Sequence, residues 1–334
     1  MKRFLGLLLS AIMLTGVLAG CAGTPSESNE TSKSDNTHAL SDTSTTETSE
    51  IEEAVWPRTY TDSKGREVTI EKKPERIAVT FYSITENLAA LDKPIVAGDL
   101  VPSLSSWETT KPYFEKHQVE DLGSTGKINL EKLLEMEPDI ILAGQYDDEV
   151  LDQLEKIAPV IVLDNSRVIE DWKASLREVS VIIGEEDTAE KYIEETEQLI
   201  QNAKDQINAL NIQSVSFVRL YKKSFWLLSQ ESTQMNAFYD KEHGLGLPLP
   251  QNMPEDNTGE LTLEALAELN PEYIFLSSKN ADSDYLDELS KNSVWNALTA
   301  VKGNHVYQID DSGITGSALS VRYGVQIVLD ALIP

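Results

Sequence analysis

Cysteine occurs once in the 334 residues, at Cys21, so no disulfide can form within the chain. Histidine is nearly as scarce. The four histidines, His38, His117, His243 and His305, are scattered, whereas a bare transition-metal site would gather them with carboxylates. Positive charge is in short supply too: 28 Lys and Arg stand against 56 Asp and Glu, for a net charge of −28. That balance excludes nucleic acid as a partner, because phosphate backbones are bound by surplus cations. Long apolar runs are confined to the amino terminus, and no later stretch is long enough to cross a membrane. The common catalytic signatures are missing: there is no G-x-S-x-G and no H-E-x-x-H. "GSTGK" (123 to 127) lacks the first glycine and the hydroxyl residue of a phosphate loop. No catalytic residue, resident metal or cofactor is expected.

What is present begins with a leader. Lys2 and Arg3 precede an apolar run from Phe4 to Val17, and Leu18-Ala19-Gly20-Cys21 follows, which resembles a bacterial lipobox. Residues 1–20 are then a lipoprotein signal peptide, and Cys21 is acylated as the new first residue. An ordinary signal peptide or an uncleaved membrane helix are the alternatives. Cleavage removes Lys2 and Arg3 and takes the net charge to about −30. Residues 22 to 55 are Ser, Thr, Glu, Asp and Asn with scarcely a large apolar side chain, too little to offset ordering entropy. Residues 21–55 therefore read as a lipidated cysteine and a disordered tether. One acyl chain holds a protein marginally and two or three hold it stably, so the expected place is the outer face of the bacterial cytoplasmic membrane.

From residue 56 onward, apolar runs of four to six residues alternate with amphipathic stretches. "RIAVTF" (76 to 81), "PIVAG" (94 to 98), "DIILAG" (139 to 144) and "PVIVLD" (159 to 164) come first. "VSFVRLY" (215 to 221), "SFWLLS" (224 to 229), "YIFLS" (273 to 277) and "HVYQID" (305 to 310) come later. Runs apolar throughout suggest strands buried on both faces of an α/β sheet. Between the halves, Ala189, Tyr192, Ile193, Thr196, Leu199, Ile200, Ala203, Ile207 and Leu210 recur at the helix period. Asp187 is a plausible cap for one helix of about 23 residues, roughly 34 Å long. The organisation expected is an amino-terminal α/β lobe over 56–186, a connecting helix over 187–210 and a carboxyl-terminal α/β lobe over 211–334.

The two halves share a phrase. "INLEKLLEMEPDIILAG" (128 to 144) and "LTLEALAELNPEYIFLS" (261 to 277) agree at six of seventeen positions, at an offset of 133. In each, Asn129 or Thr262 caps a helix, Pro138 or Pro271 closes it, and a buried strand follows. Glu131 and Glu264 occupy the second helical position, where a carboxylate suits the helix dipole by about 0.3–1 kcal/mol.

These residues carry a likeness. "YTDSKGREVTIEKKPERIAV" (60 to 79), the repeated L-E-x-L-x-E-x-x-P phrase and the long central helix resemble the iron-siderophore-binding lipoproteins of bacterial ABC importers. That solute-binding family also includes cobalamin and haem binders, and the resemblance covers 57 to 334. It implies a two-lobed periplasmic-binding-protein-like fold with lobes joined by one rigid helix, a shallow cleft, and no catalysis. It implies a ferric siderophore as ligand, of hydroxamate or citrate-hydroxamate type, with the iron carried inside the ligand. Haem or cobalamin is the alternative within the family, and a surface enzyme or adhesion module on the same scaffold is the alternative outside it. The implied partners are a permease of two subunits or pseudo-two-fold form with its ATPase, and a monomer is expected. Glu131 and Glu264 match the glutamates that meet the permease in that family.

For the ligand, a few guanidinium donors and aromatic faces are expected at the carboxyl ends of strands. Arg219 is one of only eight arginines and sits late in "VSFVRLY"; a surface pairing with a carboxylate is its alternative role. Arg322, on a terminal helix, is a weaker candidate of the same kind. Phe81 and Tyr82 follow the first strand, Trp107 lies after the second, Tyr146 follows "IILAGQ", and Tyr221 ends the Arg219 strand.

Overall fold

The eight apolar runs all become strands, and the two sheets they build differ in a way that matters for the site. The structure is a computed structural model. It describes residues 56–334 apart from 165, 167–169, 222, 231, 254–258, 279–282 and 334. The expected signal peptide, Cys21 and the expected tether, residues 1–55, lie outside the described residues. The chain enters through an antiparallel hairpin of β1 (Arg58–Thr61) and β2 (Glu67–Ile70). Next come β3 (Ile77–Val79), β4 (Ala97–Gly98), β5 (Glu120–Asp121), and a small hairpin of β6 (Gly123–Ser124) and β7 (Lys127–Ile128). Apart from the β6–β7 hairpin, β3, β4 and β5 join β8 (Ile140–Ala143) and β9 (Val160–Val162) in a five-stranded sheet of order β5-β4-β3-β8-β9. Every pairing in it is parallel.

Strand alternation explains why these runs are apolar throughout. Ile77, Val79, Ile140 and Leu142 point to one face, where they meet Ile84, Leu88, Leu176 and Val179 of the helices Tyr82–Ala90 and Trp172–Ile183. Ala78, Ile141 and Ala143 point to the other, against Leu133 and Leu154. With both faces covered, no position on these strands is left for a polar side chain.

The second sheet combines β10 (Val215–Tyr221), β11 (Ser224–Leu228), β12 (Glu260–Leu261), β13 (Tyr273–Ser278) and β14 (Val306–Ile309) in the order β12-β11-β10-β13-β14. β10, β13 and β14 are parallel, whereas β11 folds back on β10 as a hairpin and pairs antiparallel with β12. Its core stacks Phe217 on Phe275 with centroids 5.0 Å apart, and Phe238 lies 4.5 Å from Phe217. Each such ring contributes about 1.5–3 kcal/mol by leaving water.

The connecting helix runs Glu186–Asn208, 23 residues. It starts one residue before Asp187, which falls in the first turn instead of capping it, and Leu210 is exposed beyond its end. Ala189, Tyr192 and Ile193 enter the core of the first lobe. Ile200, Ala203 and Ile207 enter that of the second. The terminal helix Ala318–Leu332 makes a second bridge, with Ala318 in the first core and Val321, Val325, Val328 and Leu332 in the other.

The shared phrase is structural where it is capped. Asn129 accepts the N–H groups of Glu131 and Lys132, and Thr262 accepts that of Ala265. The D-x-x-G-R element is structural as well. Asp62 is buried and accepts Arg66 Nε at 2.9 Å together with the Lys64 and Arg66 N–H groups, and Gly65 turns the chain at φ 74°.

Candidate ligand-binding cleft

Between the carboxyl ends of the two sheets lies a cavity of about 450 Å³. From the first lobe Tyr82, Leu100 and Trp107 line it. Tyr82 opens the helix after β3, and its ring meets Trp107 edge-on at 5.9 Å and 86°. Leu100 holds a left-handed backbone at φ 52°, a conformation costly for a non-glycine residue and anchored here by its N–H on the Gly123 carbonyl at 2.7 Å.

The second lobe contributes the β10–β11 hairpin. In its register Arg219 stands opposite Trp226 and Tyr221 opposite Ser224, so the alternation of both strands puts Arg219, Tyr221, Trp226 and Leu228 on one face. Tyr221 and Trp226 remain over a third exposed, which large aromatic side chains rarely are without a use. Asp311, Ile314 and Thr315, from the turn after β14, complete the wall with Gln234. Arg219 Nε lies 3.3 Å from Asp311 Oδ1, so this arginine lines the cavity and also pairs with a carboxylate.

The remaining expected residues go elsewhere. Phe81 is buried in the first core, and its ring backs that of Tyr82 edge-on at 5.0 Å without reaching the cavity. Tyr146 is 63% exposed; its ring reaches Phe81 at 5.9 Å but is not among the described lining residues. Arg322 does not reach the cavity. Its Nη2 is 2.8 Å from Glu195 Oε2 and its guanidinium lies 4.2 Å over the Tyr192 ring, so it fastens the terminal helix to the connecting helix. Glu131 and Glu264 are exposed, each in the first turn of its helix. Sequence reasoning missed Leu100, Trp226, Leu227, Leu228, Gln234, Asp311, Ile314 and Thr315. Trp226 was within reach, by counting the hairpin register back from Arg219.

Three buried carboxyl groups stand behind the walls. Glu86 Oε1 accepts Ser317 Oγ at 2.8 Å and Thr315 Oγ1 at 3.0 Å, joining the first lobe's helix to the turn before the terminal helix. Burial pushes Glu86 up to about 8, against the pull of these hydroxyls. Asp99 is pushed up to about 7 by burial, with the Asp147 carboxyl nearby adding to the rise. Thr125 donates to Asp99, and Thr80 to Asp147, whose own carboxyl burial also raises. Across the seam, the Glu108 N–H reaches Asp310 Oδ1 and the Thr109 N–H reaches Ser312 Oγ, both at 3.4 Å. Among the described residues no group of three or more His, Cys, Asp or Glu is placed to hold a metal ion.

Two lobes, each a sheet whose carboxyl edge faces a shared aromatic cleft, define a solute-binding protein by architecture. The chain belongs to the periplasmic binding protein family, which it matches over residues 77–312. It is 28% identical to the iron(3+)-hydroxamate-binding protein YxeB of Bacillus subtilis (strain 168), covering 100% of this chain and 98% of that one. It is 24% identical to YvrC of the same organism, described as an uncharacterized ABC transporter substrate-binding lipoprotein, with the same coverage. Among solved structures it resembles the triscatecholate siderophore-binding protein FeuA from B. subtilis complexed with ferri-bacillibactin. There the TM-score is 0.66 at 25% identity, over 82% of this chain and 98% of that one.

Proposed function

We propose that this protein is the extracytoplasmic solute-binding component of an ABC importer, which captures a ferric siderophore of the hydroxamate or citrate-hydroxamate type and delivers it to a permease. The observation that carries this reading is the make-up of the cleft. Its walls are mostly aromatic and aliphatic, and among the described lining residues the one cation, Arg219, already faces a carboxylate. Apolar pockets with a few placed polar groups bind small ligands by shape and desolvation. A ferric trihydroxamate centre suits such a cleft, since three singly charged hydroxamates balance the iron. A ferric tricatecholate keeps three negative charges and calls for several cations. The hydroxamate ligand in the name of YxeB supports the same choice.

The anchor and the docking surface belong to this proposal. Acylated Cys21 and the tether hold the lobes on the outer face of the cytoplasmic membrane. Glu131 and Glu264, one exposed on each lobe at matching positions, are the contacts for a two-fold or pseudo-two-fold permease. Titration with a ferric trihydroxamate should quench tryptophan fluorescence through Trp107 and Trp226, with saturation at micromolar concentration or below. Absence of both quenching and calorimetric heat with ferric hydroxamate and citrate-hydroxamate complexes would sink the reading.

A further inference from the structure

Arg219 sits in an arrangement that limits what it can attract. Its strand partner on β13 is Ser277, and the Ser277 hydroxyl donates to the same Asp311 oxygen that lies 3.3 Å from Arg219 Nε. The Asp311 side chain is only 13% exposed, and it opens the turn Asp311–Ile314. That turn is itself fixed by Asp310, which accepts the Ser312 N–H at 3.0 Å. A carboxylate held this firmly beside the cleft's cation cannot swing away at little cost when an anion arrives. Arg219 Nε makes no aligned hydrogen bond, so the contact is a pairing of charges.

We propose that Asp311 is the specificity-determining residue of the cleft: by cancelling the Arg219 charge from a fixed position, it admits ferric complexes of zero or low net charge and rejects polyanionic ones. This rests on the ferric-siderophore reading above and adds to it the residue that discriminates. A trianionic complex that reaches for the guanidinium brings its oxygens against the Asp311 carboxylate, and selectivity of this kind is built as much from repulsion of the wrong ligand as from attraction of the right one. A neutral complex meets no such opposition and still finds the Tyr82, Trp107, Tyr221 and Trp226 rings.

The test uses two probes, ferrichrome as a neutral ferric trihydroxamate and ferric enterobactin as a trianionic tricatecholate. Both are titrated into the wild type, Asp311→Asn, Asp311→Glu and Arg219→Gln, with melting temperature as the check of fold. Asn keeps the shape and the acceptor for Ser277 but drops the charge. Asp311→Asn should bind the tricatecholate about tenfold more tightly while ferrichrome changes by less than about threefold, and Asp311→Glu should keep the wild-type ratio. Arg219→Gln examines the same pair from the other side: with Asp311 uncompensated, the tricatecholate should weaken more than ferrichrome. An unchanged ratio in both Asp311→Asn and Arg219→Gln, or a wild type that prefers the tricatecholate, overturns the role of Asp311 and leaves the siderophore reading standing. A wild type that binds neither probe, nor any other ferric siderophore, removes that reading and this inference with it.

Discussion

Phe81 and Tyr82 show how finely the cleft is decided residue by residue. They are adjacent and both aromatic, yet one ring fills the core and the other lines the cavity, because the backbone is extended at Phe81 and helical from Tyr82. Composition could nominate the pair but could not separate its members. The placement of Arg219 on the cavity wall was legible, since it sits at the carboxyl end of β10. Arg322 was not, since nothing local in "ALSVRYG" shows that its guanidinium lies over Tyr192. Arg219→Ala removes part of the cleft wall and leaves the Asp311 carboxylate facing the ligand uncompensated, so it should weaken ligand binding at least tenfold with melting temperature nearly unchanged. Unaltered affinity in a folded variant would remove Arg219 from the site. Glu86 gives a prediction in pH. Its native value of about 8 lies above the ordinary 4.5, so between those values the folded chain keeps a proton that the unfolded chain has released. Raising pH through that window favours unfolding by about 1.4 kcal/mol per unit, and the effect is constant above it. Glu86→Gln should therefore flatten the decline of thermal stability from pH about 5 to about 8; equal slopes in wild type and variant would contradict the assignment.

At the level of elements, the apolar runs located eight of the ten strands of the two large sheets, and the helical periodicity located the connecting helix. What escaped were β5 and β12, two residues each with no periodicity to read, and the hairpins β1–β2 and β6–β7, which lie outside the apolar runs. The turn Asp311–Ile314 escaped for another reason: "DSGITG" looks like an ordinary connection, and its importance comes from packing between lobes distant in sequence. The repeated phrase was legible as two capped helices, and the caps account for its Asn129 and Thr262. They do not account for an exposed glutamate in the same turn of both. Changing Glu131 and Glu264 together to Ala should cut uptake of the ferric complex at least tenfold while ligand affinity in solution stays the same. Normal transport at normal surface abundance would return both residues to helix-dipole stabilisation of about 0.3–1 kcal/mol each.

For the whole molecule, two bridges matter more than one. The connecting helix places three buried side chains in each core, and the terminal helix packs beside it across the same seam. Arg322 with Glu195 and Tyr192, and Glu86 with Thr315 and Ser317, tie the bridges to each other and to the first lobe. Bending either helix would break backbone hydrogen bonds in a packed core, so the radius of gyration should change by less than about 1 Å on ligand binding, measured by solution scattering. A contraction of several ångströms would mean that the seam opens despite both bridges.

The hydroxyl that completes Glu86 comes 229 residues later in the chain. A polypeptide exported amino terminus first would present its leading lobe outside the membrane long before Thr315, Ser317 and Ala318 emerged. Until then that lobe would hold a buried acid without its donors and a core without its last residue. Its maturation would wait for the tail, making export and folding successive events, and leaving the half-emerged chain open to chaperones and proteases for the whole time of its passage.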